Sequence, residues 1–465
     1  MGVFQDGTPL DAAVRPVPAA WLDRVVNEVP DLHWWEPSGS RLDRGVRRAQ
    51  ALGGSVNQQL GYGLIDADNH YYEAEDAFTR HGDESVRRFV RWIQEGKKRR
   101  LVFGDRVADT PPNPTFNPIA KPGAFHQRLK DLEAGKGRDE SWEFSKSQYG
   151  QLEPLPDAYR NRDVRLDVMD EQGVEQCFLF PTLGDCVEGL MHDDPVVGHK
   201  AFHAYNLWLE DDWGYGYKGR LWSPPYIPML DPELAADELE FVVNRGAKIV
   251  SVRPAPGAGR SQADPVFDRF WSIANEAKIF VAYHAYGGHT VYDDAFKMLY
   301  GTKAPYSDKT YYDILMHTFN ATRGITETVI SLVLGNLFGR FPNVRVGSIE
   351  MGMQWVAFAL HAVDHAGGII ARDVSAWGQK LKDLPSDIFK EHVYVSPFPE
   401  EDVVGLTELI GVDRVLFGSD WPHPEGNIQP VDYVSCIEKL DPVDQKKIMR
   451  DNALELIERS SAGAR

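Results

Sequence analysis

The sequence predicts an α/β chain: a (β/α)8 TIM barrel with an N-terminal extension and large lid insertions after strands 1 and 5. Three observations predict it. Short β-rich apolar runs recur about eight times from residue 62 onward. Amphipathic helical stretches separate them. Ligand-type side chains fall at the ends of four runs, where the catalytic face of such a barrel lies. A doubly wound open sheet is the alternative arrangement of the same units.

Residues 1–61 form the extension, with proline and charge interspersed and a Leu32-His33-Trp34-Trp35 patch expected to pack on the main body. The barrel spans 62–455. Its first runs are Leu64-Ile65-Asp66-Ala67-Asp68, Gln176 to Phe180, Leu221 to Met229 and Lys248 to Val252. Then come Ile279 to His284, Val344 to Glu350, His392 to Ser396 and Val415 to Asp420. Each is almost continuously apolar, as buried parallel strands are. Helices are expected between them, at Asp231 to Arg245 and at Val266 to Lys278. The second places Phe267, Phe270, Trp271 and Ala274 on one face. Two connections are too long for simple loops. Residues 74–170 contain the proline-rich ADTPPNPTFNPIAKPGAF, which cannot be regular helix. Residues 285–340 follow the fifth run. Both leave from the catalytic face and are expected to be lids. Residues 456–465 are expected to be a C-terminal tail.

The 465 residues are 43% hydrophobic and 26% charged, ordinary for a globular protein. A net charge of −19 repels a phosphate backbone, so nucleic acid is not an expected partner. The basic run Lys97-Lys98-Arg99-Arg100 reads as a solvated helix end, with an acidic redox partner as the alternative. Three cysteines without CxxC spacing argue for a reducing compartment and against a thiolate metal site. No secretory signal or 18-residue uncharged apolar segment is visible; Val329 to Phe338 is too short to cross a bilayer. A cytoplasmic protein without membrane partners is expected, with homo-oligomerisation left open.

The first run delivers Asp68 and His70, the fifth His284, the sixth Glu350 and the eighth Asp420. In a barrel those ends surround one point, and residues i and i+2 of a strand share a face. Asp66 shares that alternation one step deeper. Glu73 and His423 lie just beyond strand ends, within reach of the same point, and His289 follows the fifth run. A lone Asp-x-His often caps a helix, and a lone strand histidine is often core. Four strand ends in barrel order are harder to explain that way, because a buried carboxylate cluster is costly without a cation. Oxygen and imidazole donors without sulfur suit Zn, Mn or Fe. The donors suffice for one metal, or for two bridged by carboxylate. Arg253 ends the fourth run, placed either to hold a substrate carboxylate or to make an internal ion pair. His361 and His365 lie four apart and could share a helix face, but at 1.5 Å per residue His361 is already about 15 Å along from Glu350, too far for the same site. No GxSxG, no P-loop and no Rossmann GxGxxG followed by a strand and an acid is present.

IDADNH, then FVAYHAYGGH, FPNVRVGSIEMGMQW and VLFGSDWPHPEG, resemble the amidohydrolase superfamily. They are most similar to its amidohydrolase-related TIM-barrel branch, which includes metal-dependent decarboxylases. The resemblance covers roughly residues 62–455. It implies Asp68 and His70 as the first-strand ligands, His284 as the fifth-strand ligand and Asp420 as the eighth-strand aspartate. Two departures matter. The usual first-strand pair is His-x-His, or Glu-x-His in some decarboxylases, and here it is Asp-x-His. The usual sixth-strand histidine aligns with Glu350, which leaves a more acidic site.

That carboxylate enrichment also resembles a sub-branch containing a non-heme diiron monooxygenase of diterpenoid antibiotic biosynthesis. The leading expectation is therefore an oxygen-dependent hydroxylation of an apolar, carboxylate-bearing natural product or catabolite. Two iron ions would sit among Asp68, His70, Glu73, His284, Glu350 and Asp420, with His289 or His423 as further candidates. Asp420, Glu350 and Arg253 are the expected catalytic groups. A ferredoxin or reductase would supply electrons, since the chain has no flavin or iron–sulfur motif. The alternative is a mononuclear Zn or Mn hydrolase or non-oxidative decarboxylase of a small organic acid. Arg253 would then hold the substrate carboxylate, and Asp420 would serve as base or proton carrier.

Overall fold

The computed structural model of the chain describes residues 60–127, 152–285, 292, 298–299, 311–370 and 381–462, save positions 97, 112, 126 and 382. The expected extension, apart from its last two residues, lies outside the described residues, as do Lys97 and His289.

The strands form a closed parallel ring. They are β1 (Leu64–His70), β2 (Val174–Phe180), β3 (Leu221–Trp222), β4 (Ile249–Val252), β5 (Phe280–His284), β6 (Arg345–Ile349) and β7 (Val393–Val395). Parallel ladders join β1 to β2 to β3, and β4 to β5 to β6 to β7. Single parallel bridges complete the circuit: Tyr226 with Ser251, Val395 with Val415, and Asn69 with Trp421. The eighth position, residues 415–421, closes onto β1 through Ala67 N donating to Phe417 O and Asp420 N donating to Asp68 O, both at 2.8 Å. The expected third run, Leu221 to Met229, is regular strand only at its start. Pro224, Pro225 and Pro228 lack the N–H groups a ladder needs.

Continuous apolarity has a simple cause here. One set of alternating residues fills the barrel: Ile65, Ala67, Phe178, Phe180, Ile249, Phe280, Ala282, Ile349, Tyr394 and Leu416. The intervening residues, such as Cys177, Leu179, Val250 and Val281, pack outward against the helices. Helix Asp268–Ala277 buries Phe270, Trp271 and Ala274, as its sequence pattern predicts. The tail expected from residue 456 instead begins inside helix Asn452–Glu458, whose Leu456 and Ile457 join the barrel-filling cluster.

Two further expectations are corrected. The basic run is not a helix end: Lys98–Phe103 is a strand, antiparallel to Val90–Glu95. Gly96, at φ 59, makes the turn between them, and Lys98 faces Glu95 across it. Arg100 Nε also donates to Glu95 at 3.0 Å. Part of the second expected lid is core. Helix Tyr311–Leu334 buries Ile325, Val329, Leu332 and Val333, so it is the helix following β5.

One side chain of the first insertion ties β1 in place. Arg165, on helix Arg162–Gln172, is fully buried. It donates to Ala158 O at 2.8 Å, Asn69 Oδ1 at 2.5 Å and His70 O at 2.7 Å, and its guanidinium lies 4.5 Å from the Trp421 ring centroid. Arg165→Ala leaves three buried acceptors unpaired and is expected to lower unfolding free energy by about 3 kcal/mol or more. Arg165→Lys should not restore it, because one ammonium cannot span that planar set. Urea unfolding followed by circular dichroism checks both; a loss under about 1 kcal/mol would remove Arg165 from this role.

Candidate metal centre

Asp68 and His70 come from the end of β1. Ile65 and Ala67 point into the barrel, so strict alternation would turn Asp68 and His70 outward. The β1–β2 register shifts between Asp66 and Asn69, and beyond that irregularity the two side chains meet, His70 Nε2 lying 3.3 Å from Asp68 Oδ1. His284 ends β5, with Nε2 3.4 Å from Asp68 Oδ1 and 3.5 Å from Glu350 Oε2. Asp420 Oδ1 lies 3.3 Å from His70 Nε2 and 2.7 Å from His423 Nδ1. His70, Glu350, Asp420 and His423 each bring one ligand atom within 4.8 Å of the others, and so do Asp68, His70 and His284.

The backbone is strained to achieve this. Glu350 and Asp420, each just past its strand, adopt φ values of 57° and 54°, a left-handed conformation unusual for residues with a Cβ. Gly418 permits the approach of the eighth segment to β1, since a Cβ there would sit 2.6 Å from Asp68 Cβ.

The hydrogen bonds fix which atoms face inward. His70 Nδ1 lies 2.9 Å from Pro181 O, a pure acceptor, so Nδ1 carries the proton and Nε2 presents a lone pair. His284 Nδ1 likewise faces Ala285 O at 2.8 Å and the Asp185 carboxylate at 3.2 Å. Among the described residues, His70 Nε2 and Asp420 Oδ1 are buried with no hydrogen-bond partner. Nitrogen and carboxylate oxygen atoms thus converge at 3.3–3.5 Å. This donor set fits a divalent cation.

Electrostatics agree. Burial, then the nearby Asp420 charge, push the Glu350 carboxyl well above its ordinary range. Burial, then Glu425 and Asp68, do the same to Asp420. Burial, reinforced by His423, pushes the His70 imidazole down to about 3, which keeps it neutral and ready to ligate. Burial works to raise Asp68 but is outweighed by contacts from His284 and His70, which hold it low. Burial works to lower His284, and Asp185 and Asp68 overcome it, so that without a cation this ring takes a proton.

Not every expected site residue joins the cluster. Glu73 belongs to neither ligand group; its Oε1 accepts from Leu183 N, Gly184 N and Tyr205 Oη. Arg253 follows β4 on the same face and is buried, where its charge acts on Glu188. Asp66 turns to the eighth segment, accepting from Ser419 N at 2.9 Å and Ser419 Oγ at 2.5 Å. His361 and His365 stack on each other, 6.2 Å between centroids, on helix Gln354–Ile370. Three residues escaped the sequence reading: Pro181, Thr182 and Asp185, which meet the outer nitrogens of His70, His423 and His284. Their position just past the second strand was the available signal.

The first insertion does reach this face. Phe125 N donates to Pro424 O at 2.9 Å, and Phe116 packs 4.8 Å from Tyr72. Tyr72 in turn stands edge-on to His423 at 5.8 Å, and Tyr159 stands edge-on to Trp421 at 5.2 Å.

Comparison with known proteins agrees with this geometry. The model of the Amidohydrolase family matches residues 65–459. A solved amidohydrolase from Mycobacterium avium subsp. paratuberculosis is 35% identical, with 85% of this chain and 99% of that chain covered and a TM-score of 0.75. A gamma-resorcylate decarboxylase from Polaromonas sp. is 24% identical over 310 residues, 63% of this chain and 86% of that protein. The fold of a dihydroxybenzoic acid decarboxylase from Polaromonas sp. JS666, solved with manganese and 2-nitroresorcinol, superposes with a TM-score of 0.52 at 17% identity. It covers 85% of this chain and 97% of that chain. None of these relatives is named as an iron oxygenase, and the two-iron reading of the sequence finds no support among them. The closed parallel ring and the sequence match together place the chain in the amidohydrolase family.

Proposed function

We propose that this chain is a divalent-metal-dependent, non-oxidative decarboxylase of an aromatic carboxylic acid. The observation that carries the proposal is the convergence of nitrogen and oxygen donors of His70, His284, Asp68 and Asp420 on one point, with His70 Nε2 and Asp420 Oδ1 buried and without a hydrogen-bond partner among the described residues. A relative named as a gamma-resorcylate decarboxylase supports the reaction class. Asp68, His70, His284 and Asp420 would hold the ion, with Glu350 and His423 in reach. Manganese or zinc suits this sulfur-free set. When bound, a divalent cation supplies positive charge that binds and polarises substrate oxygens.

The chain's own groups supply the rest. Asp420 takes up a proton from solvent on one carboxylate oxygen and delivers it to the ring carbon that bears the carboxylate. The bond from that carbon to the carboxylate then breaks, its electron pair stays with the ring, and carbon dioxide leaves. Asp420 regains its proton from solvent. Arg253, balanced by Glu188, offers a cation on the same face for the substrate carboxylate. Tyr72, Phe116, Tyr159 and Trp421 supply aromatic walls beside His423. No flavin, external reductase or oxygen is needed for this balance.

Two outcomes test the proposal. Manganese-loaded protein is expected to release carbon dioxide from gamma-resorcylate or a related hydroxybenzoate equally well in air and under argon. Asp420→Asn should slow this by about 100-fold or more. Oxygen uptake coupled to hydroxylation would overturn the reading. The second outcome concerns pH. Glu350 and Asp420 have raised values in the ion-free fold, so they stabilise it below the ordinary carboxylate range. That contribution is lost as pH rises through the raised values, and a bound cation restores it by displacing the protons. Ion-free protein should therefore lose thermal stability from acid toward neutral pH while manganese-loaded protein does not. Metal binding should release protons, seen as a buffer-dependent heat in calorimetry; buffer-independent heat would contradict the ligand assignment.

A further inference from the structure

Five residues after β2, Pro181-Thr182-Leu183-Gly184-Asp185, touch each histidine of the cluster. His70 Nδ1 donates to Pro181 O at 2.9 Å. His423 Nε2 meets Thr182 Oγ1 at 3.0 Å. The Thr182 hydroxyl spends its proton on Tyr71 O at 2.7 Å, so His423 Nε2 is the donor and Nδ1 is the nitrogen left facing Asp420. His284 Nδ1 lies 3.2 Å from Asp185 Oδ2, and Ser251 Oγ donates to the other oxygen of Asp185 at 3.0 Å. One short stretch therefore selects the ring orientation of three imidazoles that start far apart in the sequence.

Glu73 holds that stretch. Its Oε1 accepts from Leu183 N, Gly184 N and Tyr205 Oη, each at 2.9 Å. Tyr205 Oη lies 2.8 Å from Tyr71 Oη, which roots the contact in β1's continuation. Gly184 is required for the approach, since a Cβ there would sit 2.7 Å from Tyr205 Oη. The carboxylate is 1% exposed, and its Oε2 has no hydrogen-bond partner among the described residues.

We propose that Glu73 is a positioning residue of the metal centre: it clamps the 181–185 stretch, which fixes the tautomer and orientation of His70, His284 and His423. The clamp acts on the ligands through their outer nitrogens, where loss of a partner typically weakens metal binding about 10–100-fold. It rests on the reading of the cluster as a metal centre.

The test is manganese affinity by calorimetry and the visible spectrum of the cobalt-loaded protein, on chelator-stripped full-length chains. Glu73→Ala is expected to weaken manganese binding about 10–100-fold and to change the cobalt bands. Glu73→Gln keeps an Oε1 that accepts the same three bonds and should stay near wild type in both readouts. If Glu73 were a ligand, both variants would lose binding alike, which overturns the clamp. Unchanged binding by Glu73→Ala also overturns it. Should Glu73→Ala fail to fold by circular dichroism, Asp185→Ala carries the test: weakened manganese binding with altered cobalt bands supports the template, and unchanged binding overturns it. Wild-type protein that binds neither metal overturns the metal centre itself, an outcome distinct from wild-type binding with Glu73→Ala unaffected.

Discussion

Three carboxylates turned toward one buried point, among three imidazoles, cannot all stay charged in a medium of low polarity. Something positive has to sit among Asp68, Glu350 and Asp420, and either protons or a metal ion can meet that need. The fold supplies protons when no ion is bound, with Glu350 and Asp420 pushed up and His284 charged. It also keeps His70 neutral, at about 3, so that one ligand is always ready. A site that exchanges protons for a cation is poised to polarise a substrate and to move a proton onto it.

Holding these groups together costs local strain, and the surrounding bonds offset it. Glu350 and Asp420 sit in left-handed backbone conformations. Asp66 ties the eighth segment to β1 through Ser419, and Arg165 ties the end of β1 to the first insertion. The stretch after β2, fixed by Glu73, faces the outer side of the histidines. Ligands from β1, β5, β6 and the eighth segment thus share supports from the first insertion and the second strand, so the centre depends on the closed ring rather than on any single loop.

Much of this was legible in the sequence. Asp68, His70, His284, Glu350 and Asp420 stood out because ligand-type residues rarely end apolar strands, and a parallel barrel gathers strand ends at one face. Glu73 stands apart from the cluster for a physical reason. Its neighbour in sequence is the ligand pair, but its bonding partners, Leu183, Gly184 and Tyr205, are more than a hundred residues away. Thr182 and Asp185 carried no distinctive pattern beyond following a strand. Proline decided the third strand, and cross-strand pairing of Glu95 with Lys98 overrode the helical reading of the basic run. The carboxylate count suggested two irons because composition alone cannot separate ligands from the carboxylates, such as Asp66 and Glu73, that brace them.

The proposed function requires a divalent ion bound at the ends of β1 and β5. Anomalous diffraction from crystals of the full chain grown with manganese measures this most directly. A peak in bonding contact with His70 Nε2 and His284 Nε2, and none in bonding contact with Glu73, is expected. A map with no peak at the strand ends, or with the ion held by Glu73 instead, would contradict it.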